Sequence, residues 1–333
     1  MEGVKSILVI RFSSIGDVML TTPLLRELAA RWPGVRIDYC TKPPFAALLG
    51  GNPHLKTVYT VDDPPSGRYD LVIDLQNNLR SRRLAATIRT KKRVSYRKEN
   101  WKKLLLVRTG VDLTGPYRSV VDRYREAVAG FGVKADRGGC ELFPSPEEKD
   151  FAVSLTGIAT PLLAVCFGAM HASKRYPPEK FAGVLSRLFS SLPLRAVLLG
   201  SQDDAPFAQQ LLQALPATDT DRVIDLSGRC SLMQTAAVLE RCNAVLTNDT
   251  GLMHMASAFG KTLFVIFGSS AKEFGFLPHR TPFELFEVEG LECRPCSHIG
   301  MDSCPEGHFR CMNDLSPERI ASAIISFYSR TEQ

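Results

Sequence analysis

Short apolar runs alternate with longer amphipathic stretches along this chain, and that alternation constrains its fold more than any single motif. In the first half the runs are Ile7 to Arg11, Val35 to Tyr39, Thr57 to Val61 and Leu71 to Leu75, separated by helical patterns such as Val18 to Arg31. Strand, helix and strand in succession define parallel βαβ units. The pattern restarts after the Pro- and Glu-containing segment Phe143 to Pro161, with Leu162 to Phe167, Arg195 to Gly200, Val223 to Leu226, Ala244 to Thr247 and Thr262 to Phe267. The expected class is α/β: two Rossmann-like, doubly wound parallel-sheet domains, residues 1–155 and 156–315, facing a central cleft. Ser316 to Tyr328 opens with a capping serine and a proline suited to a first turn, so it reads as a closing helix. Residues 316–333 are then free to pack back onto the first domain.

A length of 333 residues lets each unit bury its own core, and 44% apolar with 23% charged residues excludes disordered, collagen-like and coiled-coil chains. No run approaches the roughly 18 apolar residues of a membrane span. Arg11 and two serines follow Ser6 too soon for a secretion signal, so a cytoplasmic protein is expected. Net charge is only +6 but uneven. Arg80, Arg82, Arg83, Arg89, Lys91, Lys92, Arg93, Arg97, Lys98, Lys102, Lys103 and Arg108 face the single acid Glu99 in one stretch. Such a field suits an anionic partner, whether nucleic acid, phosphorylated lipid or a membrane face; a solvated basic helix is the plain alternative.

Ligands of open parallel sheets bind beyond the strand carboxyl ends, where helix amino termini offer free N–H groups. The first such loop is Arg11-Phe12-Ser13-Ser14-Ile15-Gly16-Asp17-Val18. Its small residues allow close approach to a ligand, and Asp17 either accepts a proton or caps the helix at Val18. G-x-G-x-x-G is absent there, which argues against a dinucleotide loop. The second loop, Cys166 to Pro177, carries Gly168, Ser173, Lys174 and Arg175, which read as a phosphate site or as surface cations. The third, Thr247-Asn248-Asp249-Thr250-Gly251-Leu252-Met253-His254, has Asp249 as an expected helix cap, donors at Thr250 and Gly251, and His254 on the same face one turn later. A diphosphate fits that arrangement; a satisfied core histidine is the plain reading of His254 alone.

Ser13 to Asp17, Gly168 to Pro177, Ser227-Gly228-Arg229-Cys230-Ser231-Leu232 and Thr247 to His254 together resemble the ADP-heptose:lipopolysaccharide heptosyltransferases of glycosyltransferase family 9. The third loop is most similar to the branch that adds the second inner-core heptose. The resemblance implies GT-B architecture, with the acceptor on the first domain and ADP-L-glycero-D-manno-heptose on the second. It makes Asp17 the base in an inverting, metal-independent displacement, with Lys174, Thr250 and Gly251 stabilising the departing diphosphate. Asp249 would meet a heptose hydroxyl, His254 the phosphates or the helix end, and Cys230, Ser231 and Leu232 the adenine. Asp203 or Asp204 would bind the ribose. Gly168, Ser173 and Arg175 complete the donor set, and Ser13, Ser14, Gly16, Asn78 and Arg80 the acceptor set. The acceptor implied is an anionic glycolipid, the phosphorylated Kdo/heptose–lipid A core, met at the cytoplasmic face of the inner membrane through the basic stretch.

Cys293, Cys296, Cys304 and Cys311, with His298 and His308 between them, are spaced for a structural metal, for disulfides or for free thiols. No catalytic metal and no cofactor are expected. Cys40, Cys140, Cys166, Cys230 and Cys242 read as small buried apolar residues. Two further readings remain: a same-fold transferase using another nucleotide sugar, and a nucleic-acid-binding module. The latter is disfavoured because only Tyr96 and Trp101 interleave the basic stretch.

Overall fold

A computed structural model of the chain describes residues 3–157 and 161–331. The first sheet comprises β1 (Ser6–Ile10), β2 (Arg36–Thr41), β3 (Thr57–Thr60), β4 (Arg68–Asp74) and β5 (Arg89–Ser95), in the order β3-β2-β1-β4-β5. The second comprises β6 (Leu162–Cys166), β7 (Arg195–Leu198), β8 (Val223–Asp225), β9 (Ala244–Asn248), β10 (Thr262–Ile266) and β11 (Phe283–Phe286), in the order β11-β10-β9-β6-β7-β8. Every pairing is parallel. Parallel strands need both faces covered, and the central strands β6 and β9 are buried at every position, which is why Leu-Leu-Ala-Val-Cys and Ala-Val-Leu-Thr-Asn carry no charge. In each sheet the strand order reverses beside the domain's first strand, between β1 and β4 and between β6 and β9. Those switch points open the crevices in which such folds bind ligands.

Two strands escaped the sequence pattern. β5 (Arg-Thr-Lys-Lys-Arg-Val-Ser) lies inside the basic stretch, and β11 is a four-residue piece; both are sheet edges. Lysine and arginine along an edge strand block pairing with another chain, so the charges of β5 mask its strand character while serving the edge. The basic stretch is therefore a helix (Leu79–Thr87), a strand and a second helix (Asn100–Thr109).

The domain boundary needs two corrections. The helix Pro146–Thr156, expected in the first domain, packs on Leu232–Arg241 of the second, with Lys149 paired to Glu240 at 3.0 Å and Arg241 donating to the Thr156 hydroxyl at 2.7 Å. The closing helix Pro317–Thr331 lies against Pro178–Ser191 in the second domain rather than on the first. Its Ile320, Ala321, Ile324 and Tyr328 complete the core around Phe181, Leu185 and Phe264, and the Tyr328 hydroxyl donates to the Leu162 carbonyl at 2.8 Å. The apolar stripe of that helix has its matching face there.

Candidate active site

Beyond β1 the chain turns at Arg11, a guanidinium buried to 7% exposure. It donates to the Leu75 carbonyl at the end of β4 (2.8 Å) and to the Ser13 carbonyl (2.9 Å), and it pairs with Asp17 Oδ1 at 2.6 Å. The other carboxylate oxygen, Oδ2, accepts the Ser14 N–H at 3.1 Å and the Ser14 hydroxyl at 3.2 Å, and Tyr124 reaches Oδ1 at 3.4 Å. The helix begins at Ile15, three residues before the expected start, with Ser14 as its cap and Asp17 as the reciprocating residue of a capping box. One carboxylate oxygen thus serves the cap and the other the Arg11 guanidinium. Burial alone would push the Asp17 carboxyl up, but Arg11 and the Ser14 donors overcome it and hold the group below its usual range. Asp17 is ionised at neutral pH and aimed by four donors. Thr22 repairs the turn that follows: Pro23 cannot bond the Met19 carbonyl, and the Thr22 hydroxyl does so at 2.8 Å.

In the second domain the loops after β6 and β9 meet. Asn248, fully buried, donates to the Phe167 carbonyl at 2.6 Å and accepts the Tyr176 N–H at 3.3 Å, bracing one loop on the other. Asp249 is not the helix cap; Thr250 is, without a side-chain bond, because the Asp249 carboxylate is occupied elsewhere. Its Oδ2 accepts Lys174 at 2.7 Å and the Ser270 hydroxyl at 2.6 Å. Burial raises the Asp249 carboxyl and Lys174 with Ser270 more than reverses this, so it too is held below its usual range. Thr250 Oγ1 and His254 Nδ1 are buried with no hydrogen-bond partner among the described residues.

The two centres face each other across a glycine contact. A Cβ on Gly16 would lie 2.5 Å from His254 Cδ2, and one on Gly251 would lie 2.7 Å from Ile15 Cβ. Only residues without a side chain let the helices Ile15–Met19 and Gly251–Ser257 approach so closely. His254 is buried at this seam, 3% exposed and beside Phe276, and burial lowers its pKa to about 4 despite the nearby Asp249 and Asp17 charges. It is neutral. Further along the seam Arg123 donates to the Phe274 carbonyl (3.1 Å) and the Glu273 carbonyl (3.2 Å), and the Val120 N–H bonds Gly275. A cavity of about 360 Å³ beside Leu106, Asp112, Glu273 and Glu287 includes neither Asp17, Lys174 nor Asp249 in its wall.

Several expected site residues have structural duties. Ser173 is buried, its hydroxyl shared between Ser269 (2.9 Å) and the Met301 N–H (2.8 Å). Arg175 holds the Ala169 carbonyl at 2.6 Å and stacks 4.7 Å from the Phe207 ring. Gly168 is fixed as glycine by Asp204, whose carboxylate a Cβ would meet at 2.3 Å. Asp204 caps the turn at Ser201, while Asp203 is exposed. Ser231 caps Leu232–Arg241 in a box with Gln234, and Cys230 and Leu232 are half-buried beside it. Asn78 caps Leu79–Thr87 through the Ser81 N–H at 2.9 Å, and Arg80 projects to solvent. Tyr96 is buried edge-on to Tyr124, leaving Trp101 as the exposed aromatic of the basic stretch. None of the nine cysteines is paired in a disulfide; Cys40, Cys140, Cys166 and Cys242 are buried as expected, and Cys230 is half-buried. Arg11, Tyr124, Asn248 and Ser270 were not singled out from sequence. Arg11 had a readable signal, an arginine at a strand end directly before the small-residue loop, and Asn248 directly precedes Asp249 in the third loop; Tyr124 and Ser270 come from distant segments.

Two Rossmann-like lobes meeting at their switch points are the GT-B architecture of glycosyltransferases. Residues 66–300 match the glycosyltransferase family 9 (heptosyltransferase) model, and the chain belongs to that family. Lipooligosaccharide heptosyltransferase 2 of Haemophilus influenzae is 26% identical, the match covering 94% of this chain and 96% of the relative. Lipopolysaccharide heptosyltransferase 2 of Salmonella typhimurium is also 26% identical, over 97% and 98%. The solved structure of Escherichia coli ADP-heptose LPS heptosyltransferase II superposes with a TM-score of 0.76 at 23% identity, covering 98% of this chain and all of the other.

Proposed function

We propose that this glycosyltransferase moves heptose from ADP-L-glycero-D-manno-heptose to the inner core of lipopolysaccharide, with inversion. The carrying observation is the pairing of an oriented, ionised Asp17 with the Lys174–Asp249 centre across the Gly16–His254 seam. Asp17 takes the proton of an acceptor hydroxyl as that oxygen attacks the anomeric carbon, and the bond to the diphosphate breaks on the opposite face. Lys174, with the Thr250 and Gly251 N–H groups, meets the charge that develops on the diphosphate, so no metal is assigned to that step. Asp249 pairs with Lys174 at rest and offers its other oxygen to a sugar hydroxyl. The names of the full-length relatives support the donor and acceptor class.

The acceptor side is the first domain. Arg80, Arg82, Arg83, Lys92 and Arg97 are exposed there, together with the apolar Leu79, Trp101 and Leu104. Cations beside exposed apolar groups suit an anionic glycolipid at a membrane surface, here the cytoplasmic face of the inner membrane. No helix among the described residues is long and apolar enough to cross a membrane. The test supplies the protein with a panel of nucleotide sugars and a heptose-deficient core acceptor. ADP release with ADP-heptose alone is expected; turnover only with another nucleotide sugar would replace the donor assignment.

A further inference from the structure

Between β11 and the short helix Arg310–Asn313 the chain runs without helix or strand, turning at Gly290, Gly300 and Gly307, all at positive φ. A loop of this length inside a folded domain needs something to hold it. Side-chain and backbone bonds supply part. Arg294 donates to the carbonyls of Gly268 (2.6 Å), Val288 (3.2 Å) and Ser270 (3.0 Å), and Met301 exchanges bonds with Ser173. The rest of the loop converges on one small cavity lined by Cys293, Cys296, Cys304 and Cys311 with His308.

Two of those sulfurs have N–H donors aimed at them. The Phe309 N–H points at Cys304 Sγ at 3.4 Å. His308 Nδ1 accepts the Arg310 N–H at 3.0 Å, so a neutral ring carries its proton on Nε2, which stands 3.8 Å from Cys293 Sγ. An imidazole that donates to sulfur is a supporting partner of a thiolate and not itself a ligand. N–H donors aimed at sulfur support a sulfur that carries negative charge, and a soft cation gathering the four cysteines would leave them as thiolates.

We propose that Cys293, Cys296, Cys304 and Cys311 form a structural metal centre for one soft tetrahedral divalent cation, zinc or ferrous iron, with His308 supporting Cys293. The C-x2-C pair is the usual half of such a site, and four thiolates complete it. Among the described residues no three metal-binding side chains are gathered closely enough to hold an ion as they stand, so binding requires the cysteine side chains to rotate onto a common centre. Metal uptake releases the thiol protons and involves no redox change. The staple fixes the loop that clasps Ser173, next to Lys174, and through Arg294 the Gly268–Ser270 turn whose Ser270 hydroxyl bonds Asp249. It acts by positioning, remote from the reacting atoms, and does not depend on which sugar is transferred.

The test is metal content of the full chain purified under reducing conditions without chelator. About one zinc or iron per chain is expected, and cobalt exchange should give the intense thiolate-to-metal absorption of a sulfur-rich tetrahedral site. Cys304→Ser should abolish that band. His308→Gln, which keeps all four sulfurs, should keep the band and weaken metal affinity by about 10–100-fold. Less than about a tenth of an equivalent after incubation with zinc or ferrous iron, or disulfides among these cysteines in a non-reducing peptide map, would overturn the proposal whether or not the variants fold.

Discussion

The two switch points hold similar carboxylates in different ways. Asp17 is paired with an arginine that is itself pinned to two carbonyls and cannot leave, whereas Asp249 is paired with a lysine on a flexible stem. Both acids lie below their usual range, Asp17 through a fixed planar cation and Asp249 through a mobile point charge. On the proposed mechanism the first arrangement keeps the proton acceptor in one place through the reaction cycle. On the same mechanism the second keeps a phosphate-binding cation neutralised until a stronger anion arrives. One topology therefore yields a fixed group and an exchangeable one, and the difference lies in which cation the loop supplies.

Replacing each carboxylate by its amide breaks that comparison most directly. Asp17→Asn should lower kcat by about 10³-fold, within the range for loss of a general base, while ADP affinity measured by calorimetry changes by no more than about twofold. Retained turnover would remove Asp17 as the base. Arg11→Met should act on the same step through acidity. Without the guanidinium the Asp17 carboxyl loses its main depressing charge, so its pKa rises and the acid limb of the kcat/KM–pH profile moves to higher pH. An unmoved limb would show that the acid limb belongs to another group. Asp249→Asn should do the reverse of a loss at the diphosphate: with Lys174 released from its resting partner, ADP should bind about tenfold tighter, roughly 1.4 kcal/mol, even as sugar transfer slows. Weaker ADP binding would make Asp249 a necessary support for Lys174 rather than its competitor.

The sequence carried the architecture because alternation survives in every buried strand, and it singled out Asp17, Lys174, Asp249 and Thr250 as candidates because each follows a central strand. β5 was illegible because its edge position selects lysine and arginine, which read as a binding patch. The role of Asp249 was misread for a related reason: Asp before Thr-Gly at a helix start has the composition of a cap, and only the arrival of Lys174 and Ser270 from other loops shows where its oxygens go. Arg11 lies six residues before Asp17, yet its grip on Leu75 depends on β1 and β4 being neighbours, which no local pattern states. The closing helix was left free to join the first lobe because amphipathicity says that a partner exists without saying which.

The smallest effect concerns the seam that holds the two centres together. His254 is buried and neutral there, with Gly16, Phe276 and the charges of Asp17, Asp249 and Lys174 around it. Its pKa falls from 6.5 to about 4 on folding because burial disfavours the imidazolium more than the two carboxylates favour it. A depressed folded pKa contributes stability above the unfolded value and loses it as pH falls from 6.5 toward 4. At pH 5.5 the loss is about 1.4 kcal/mol for this group, a shift of a few degrees in Tm for a chain of this size. His279, lowered to about 4 for the same reason, adds a slope of the same sign. Comparing wild type with His254→Asn isolates the seam: the variant should show a smaller acid-side decline in Tm between pH 7 and 5.5 while keeping the parts from His279 and His298, both lowered by burial. An identical decline in both proteins would mean that His254 is hydrated or protonated in the folded state, and the closed contact at Gly16 would then be one of several positions of the lobes rather than the resting one.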